Sequence, residues 1–156
     1  MTSLRHSAAL ALACLLLAAP AGRGAEPARL LEGFTRADAM IETRLACHLL
    51  DVYLARTPEE RAQGLMYIRE LGEFEGMLFP TSEPVVVRMW MKNTYIPLDM
   101  VFIRGNGTVA SIAASTTPFS EDTISSNQAV TGVLELNGGF AARHGVRAGD
   151  RFRIIR

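Results

Sequence analysis

The sequence predicts a mainly β domain of the α+β kind, a small barrel-like or strongly curved antiparallel sheet carrying two short helices. Three observations predict it. Short apolar runs, several alternating with period two, recur along the chain between Gly, Asn and Pro turn signals. Two helix signatures occur, and a glycine stops each within two turns. No internal repeat or second domain is visible. The chain has 156 residues, 49 % of them hydrophobic, and a formal net charge of 0. That suits one packed domain plus a leader. It lacks the basic balance of a nucleic-acid binder.

The leader comes first. Arg5 and His6 precede an unbroken apolar run over residues 8–19, and Ala19-Pro20-Ala21 offers small residues for cleavage. We expect residues 1–21 to be a secretory signal, with export to a periplasmic or extracellular space and no stable membrane span after cleavage. Removal of Cys14 leaves Cys47 as the single cysteine. Set among Leu45, Ala46, Leu49 and Leu50, it reads as a small buried apolar residue. Residues 22–44 read as a linker and N-terminal extension, without a firm element.

The single β-rich domain is expected over residues 45–156. Residues 45–55 form the first strand, with Leu50, Val52 and Leu54 on one face. Thr57-Pro58-Glu59-Glu60 starts a helix: threonine caps, proline suits the first position, and Glu60 closes a capping box. Gly64 stops it, with Leu65 and Met66 as its anchor. Residues 76–79 form a short strand closed by Pro80, and 81–84 a loop. Residues 85–92 form a strand with Val85, Val87, Met89 and Met91 towards the core and Val86, Arg88, Trp90 and Lys92 opposite. Leu98-Asp99-Met100-Val101-Phe102-Ile103 is apolar on both faces except at Asp99, as a central strand should be. Gly105-Asn106-Gly107 turns into a strand over 109–113. Residues 115–128 are polar and read as a surface loop, followed by a strand over 129–136. A short helix over 140–144 stops at Gly145, and a last strand covers 151–155.

Several of these stretches resemble the DUF192 family, domains of unknown function. The opening block is Val52-Tyr53-Leu54-Ala55-Arg56-Thr57-Pro58-Glu59-Glu60-Arg61-Ala62-Gln63-Gly64-Leu65-Met66. Gly76-Met77-Leu78-Phe79 follows, then Trp90-Met91-Lys92-Asn93-Thr94 with Ile96-Pro97-Leu98-Asp99. Val133-Leu134-Glu135-Leu136-Asn137, Gly145-Val146 and Gly149-Asp150 close the pattern. The resemblance spans residues 45–156 and implies a compact, β-rich, often exported domain. It implies no activity. Met89 departs from it, where an aromatic residue is expected.

Chemistry concentrates at residues 88–99. A ligand platform would use Arg88, Trp90, Lys92, Asn93, Thr94 and Asp99: indole for stacking, cations for anionic oxygens, amide and hydroxyl for orientation. The bland alternative makes Trp90 a core anchor, Lys92–Asp99 an ion pair and Asn93-Thr94 a turn. An enzyme acting on a sugar-like or anionic substrate would use Lys92 and Asp99, with Arg61 as a third group. Cys47 and His48 are adjacent on a strand, so they face opposite sides and form no local dyad. Met89 and Met91 offer two thioethers to copper(I), although methionines at this spacing are commonly core filler. His48 and His144 have no zinc-like spacing. No cofactor is indicated. The expected partner is a small ligand or a protein.

Overall fold

The computed structural model describes residues 30–155. The expected signal segment lies outside them. Seven strands form one sheet in the order β5-β4-β6-β3-β2-β1-β7. They are β1 (Thr35–Glu42), β2 (Cys47–Leu54), β3 (Glu75–Met89), β4 (Leu98–Ile103), β5 (Val109–Ala113), β6 (Ile124–Asn137) and β7 (Arg151–Ile154). Helix α1 (Pro58–Gln63) lies between β2 and β3, and α2 (Phe140–His144) between β6 and β7. The sheet curls into a half-barrel. Its two edges meet where Thr108 bridges Arg151 and the Val109 amide donates to the Asp150 carbonyl.

The expected β-rich, strongly curved domain with two short helices is therefore what forms. The sheet is mixed, not wholly antiparallel: β2 pairs with β3 in parallel. A parallel pair needs a crossover, and the segment carrying α1 supplies it.

The boundaries shift in three places. β1 lies in the stretch read as extension, so the sheet begins before residue 45. Residues 75–89 form one strand, although it contains Pro80 and Pro84. Its register against β6 slips between Pro80 and Val85, so residues 81–84 bulge out and Val85 is exposed. The bulge holds Pro84, which needs no ladder partner there, while Pro80 sits at its edge opposite Gly132. Residues 124–128, read as loop, belong to β6.

Local chemistry explains the helices. Thr57 Oγ1 accepts the Glu60 amide, while the Glu60 carboxylate accepts the amides of Thr57 and Arg56. Those two bonds, that from Thr57 foremost, hold the Glu60 carboxyl below the usual glutamate range. Gly64, at φ +49°, ends α1. Gly145, at φ +70°, ends α2. β4 is buried along its whole length, as a strand covered on both faces must be.

The sheet has a core on each face. The inner one takes side chains from all seven strands, among them Ile41, Val52, Leu78, Val101, Val109, Leu136 and Phe152, and is plugged by Phe140 of α2. The outer one packs Met77, Phe79, Leu98, Met100, Phe102 and Val133 under Leu65, Ile68 and Met91. Cys47 is exposed, not buried. It opens β2 beside the 43–46 turn, where Leu45 and Leu49 are exposed as well.

Candidate functional site

β3 ends at Met89, so Trp90 to Pro97 form a loop rather than a strand end. This changes the expected cation–indole–cation face. Lys92 Nζ lies 5.1 Å from the Trp90 ring centroid, the one cation stacked on this indole among the described residues. Arg88 is exposed and makes no ion pair among the described residues. Trp90 is 50 % exposed and therefore not the core anchor of the bland alternative. The early strand end also takes Met89 and Met91 off a common strand face. Met91 is buried, with the Thr116 Oγ1 at 3.1 Å from its sulfur, and Met89 is half-buried.

Lys92 and Asp99 do not meet. Asp99 is 0 % exposed on the inner face of β4. Its Oδ1 accepts the Ser115 amide at 2.7 Å and the Gly139 amide at 2.9 Å, and its Oδ2 the Ala141 amide at 2.7 Å. Gly139 gives α2 no side-chain cap, so Asp99 caps that helix from another strand. Arg61 is separate again: it donates to the carbonyls of Ala55 and Pro80. The expected Lys92–Asp99 ion pair is absent, and the proposed catalytic trio is dispersed into one cation on an indole, one helix cap and one backbone clamp.

Asn93 and Thr94 do make a turn. Asn93 has φ +55°, which asparagine tolerates. Thr94 is buried, and its amide donates to the Met91 carbonyl at 3.1 Å. This turn ties two further loops to itself. The Tyr67 amide donates to the Asn93 carbonyl at 2.9 Å, and the Phe119 amide to the Thr94 carbonyl at 3.2 Å. Tyr67 and Phe119 also have positive φ, +66° and +62°. Bulky residues rarely accept that conformation, which costs about 1 kcal/mol or more each. The result is a surface row of rings. Tyr95 lies between Tyr67, at 6.0 Å edge-on, and Phe119, at 5.2 Å. The Arg69 guanidinium lies 4.6 Å over Tyr95. Tyr67 and Phe119 are exposed. Sequence reasoning missed this row, because its three rings come from three separate loops. Two surface depressions lie elsewhere, around Arg36 and Asp51 and around Leu49 and Ile155.

Glu135 was also missed. It sits in β6 between Leu134 and Leu136, is 4 % exposed, and has no hydrogen-bond or ion-pair partner among the described residues. Burial pushes its carboxyl up to about 8. A signal existed: one acidic residue within the apolar Val133 to Leu136 run. The histidines, read as unrelated, come together too. The rings of His48 and His144 are 4.8 Å apart, and His144 Nε2 lies 3.3 Å from Glu73 Oε1. They do not amount to a metal site, since no three His, Cys, Asp or Glu side chains group to hold one among the described residues.

A family model, DUF192, described as an uncharacterized ACR, matches residues 39–154. The chain belongs to the DUF192 family. Two solved structures are similar to this DUF192 domain. A Sinorhizobium meliloti 1021 protein, named as a candidate transcription regulator, shares 44 % identity over 78 % of this chain and 95 % of its own, with a TM-score of 0.76. A Novosphingobium aromaticivorans DSM 12444 protein of unknown function shares 36 % identity over 88 % of this chain and 94 % of its own, also at 0.76. No curated protein matches the chain. The family match begins inside β1, which agrees with a domain that starts before residue 45.

Proposed function

We propose that this DUF192 domain is an exported binding or accessory module whose ligand surface is the ring row Tyr67, Tyr95 and Phe119 together with Trp90. The observation that carries the reading is the set of three bulky or amide-bearing residues held at positive φ, Tyr67, Asn93 and Phe119, in three loops pinned to one another by backbone hydrogen bonds. Backbone strain kept in place at a surface favours a role for the rings it displays. The rings suit the apolar face of a sugar. Arg69 and Lys92, already stacked on Tyr95 and Trp90, suit an anionic substituent on it. The class we favour is therefore an acidic saccharide, bound along an open surface.

Trp90 is the chain's single tryptophan and is half-exposed, so its fluorescence reports on this surface directly. Titration with oligogalacturonate should give a saturable change that Tyr95→Ala weakens and that the neutral maltose reproduces poorly. No response to either saccharide would remove the reading. Equal responses to both would remove the part assigned to Arg69 and Lys92. The enzyme alternative through Lys92 and Asp99 is not carried forward, because both Asp99 oxygens are already committed to backbone amides.

A further inference from the structure

We propose that Met77, Glu135 and Met100 form a binding site for one soft monovalent cation, copper(I) or its analogue silver(I), within the outer face of the sheet. The three residues form a row across neighbouring strands. Met77 of β3 and Met100 of β4 are each directly opposite Glu135 of β6 in the pairing register. Directly opposed residues project to the same face with Cβ atoms about 5 Å apart. Glu135 is thus flanked on both sides by a thioether, and both methionines are fully buried in the outer core.

The carboxyl gives this row a function to look for. It is more than nine-tenths buried and unpartnered. Among the described residues, the sealed side-chain nitrogen or oxygen without a partner is His48 Nε2. Glu135 keeps 4 % of its surface exposed. Asn137, two residues along the same face, ties this strand to the 71–72 segment: its Nδ2 donates to the carbonyls of Leu71 and Gly72 at 3.0 and 2.8 Å.

The donor set selects the ion. Hard divalent cations need six or more oxygens, and this row offers one carboxyl. Zinc prefers four nitrogen, sulfur or oxygen ligands, and no suitable group of three occurs among the described residues. Two thioethers favour a soft ion. A single positive charge on one carboxylate also leaves no net charge in the core, the condition for burying it cheaply. This pairing of sulfur with a buried, unpaired carboxyl distinguishes Met77 and Met100 from Met89 and Met91, which have no such carboxyl opposite them.

Silver(I) nitrate is the probe, because it cannot change oxidation state here. Cys14 and Cys47 are first replaced by serine so that no thiol competes. With methionine ε-methyl groups labelled by carbon-13, the resonances of Met77 and Met100 should shift together and saturate at one equivalent. Glu135→Gln, nearly the same shape, should weaken binding by about ten-fold or more, and Met77→Leu with Met100→Leu should abolish the stoichiometric phase. Near-ultraviolet circular dichroism checks that each variant is folded, and the wild-type methyl shifts decide the question even if one is not. The proposal is overturned if no methionine responds at stoichiometric silver, if the shifts fall on Met66, Met89 or Met91, or if folded Glu135→Gln binds as tightly as the parent.

Discussion

Asp99 and Glu135 are buried carboxyl groups on paired strands, one register position apart, and they are treated in opposite ways. Asp99 lies across from Leu136 on the inner face, and Glu135 across from Met100 on the outer face. Three backbone amides point at Asp99. Among the described residues, none points at Glu135. The difference teaches that burial alone does not define the state of an acid; the donors around it do. Asp99 anchors the start of α2 and the Ser115 corner. Glu135 carries a burial cost that no hydrogen bond or ion pair among the described residues offsets.

The largest expected effect tests that cost. An unfolded glutamate loses its proton near 4.5, whereas Glu135 keeps it to about 8 in the folded protein. Between those values the native state binds more protons than the unfolded chain, so stability falls as pH rises and levels off above about 8. At about 1.4 kcal/mol per pH unit, the full loss is at most roughly 5 kcal/mol. Urea midpoints of the metal-free protein should therefore drop across this window, and Glu135→Gln should remove the slope. A parent slope as flat as the variant's would break the contrast between the two acids.

Asp99→Ala should cost about 3 kcal/mol, because it strands the buried Ala141 amide and the part-buried amides of Ser115 and Gly139. Chemical denaturation measures this, and hydrogen exchange at Gly139 and Ala141 should quicken in the same variant. A loss below about 1 kcal/mol would mean that water replaces the carboxylate and that Asp99 is no anchor.

Thr57 provides the exposed version of the same job. It caps α1 through a local box, and solvent can take over its amides when it is lost. Thr57→Ala should cost about 1 kcal/mol by urea denaturation, clearly less than Asp99→Ala. The smallest effect belongs to Lys92→Ala, about 0.5 kcal/mol, since this side chain rests on an exposed indole and pairs with no acid among the described residues. A cost of several kcal/mol would restore the ion pair that the geometry denies.

What could be read from the residues depended on how local the cause was. The α1 cap lies within four residues, and Gly145 adjoins the helix it stops, so both were legible. β4 and β5 appear where their apolar runs placed them. β1 was not legible because its inner face is built on Ala37, Ala39 and Ile41, and alanine hardly marks an alternation. The continuity of β3 through two prolines depends on β6 and on a bulge, which no local rule contains. The candidate surface was half legible. Trp90 and Lys92 do stack, but Tyr67 and Phe119 are tied to the same loop, at Asn93 and Thr94, only through hydrogen bonds between loops. The role of Asp99 needed the position of α2, whose start is forty residues further along the chain.

The strand order also says when this protein can finish folding. β1 is the first strand of the sheet and β7 the last, yet they are neighbours, with Ala39 opposite Ile154. Contacts so distant in sequence form slowly, because loop closure must precede any gain from them. A chain emerging from a ribosome therefore holds β1 with one open edge until β7 has followed it. Closure of that edge and of the Thr108–Arg151 bridge depends on the same four-residue strand, which makes β7 the latch of the whole sheet.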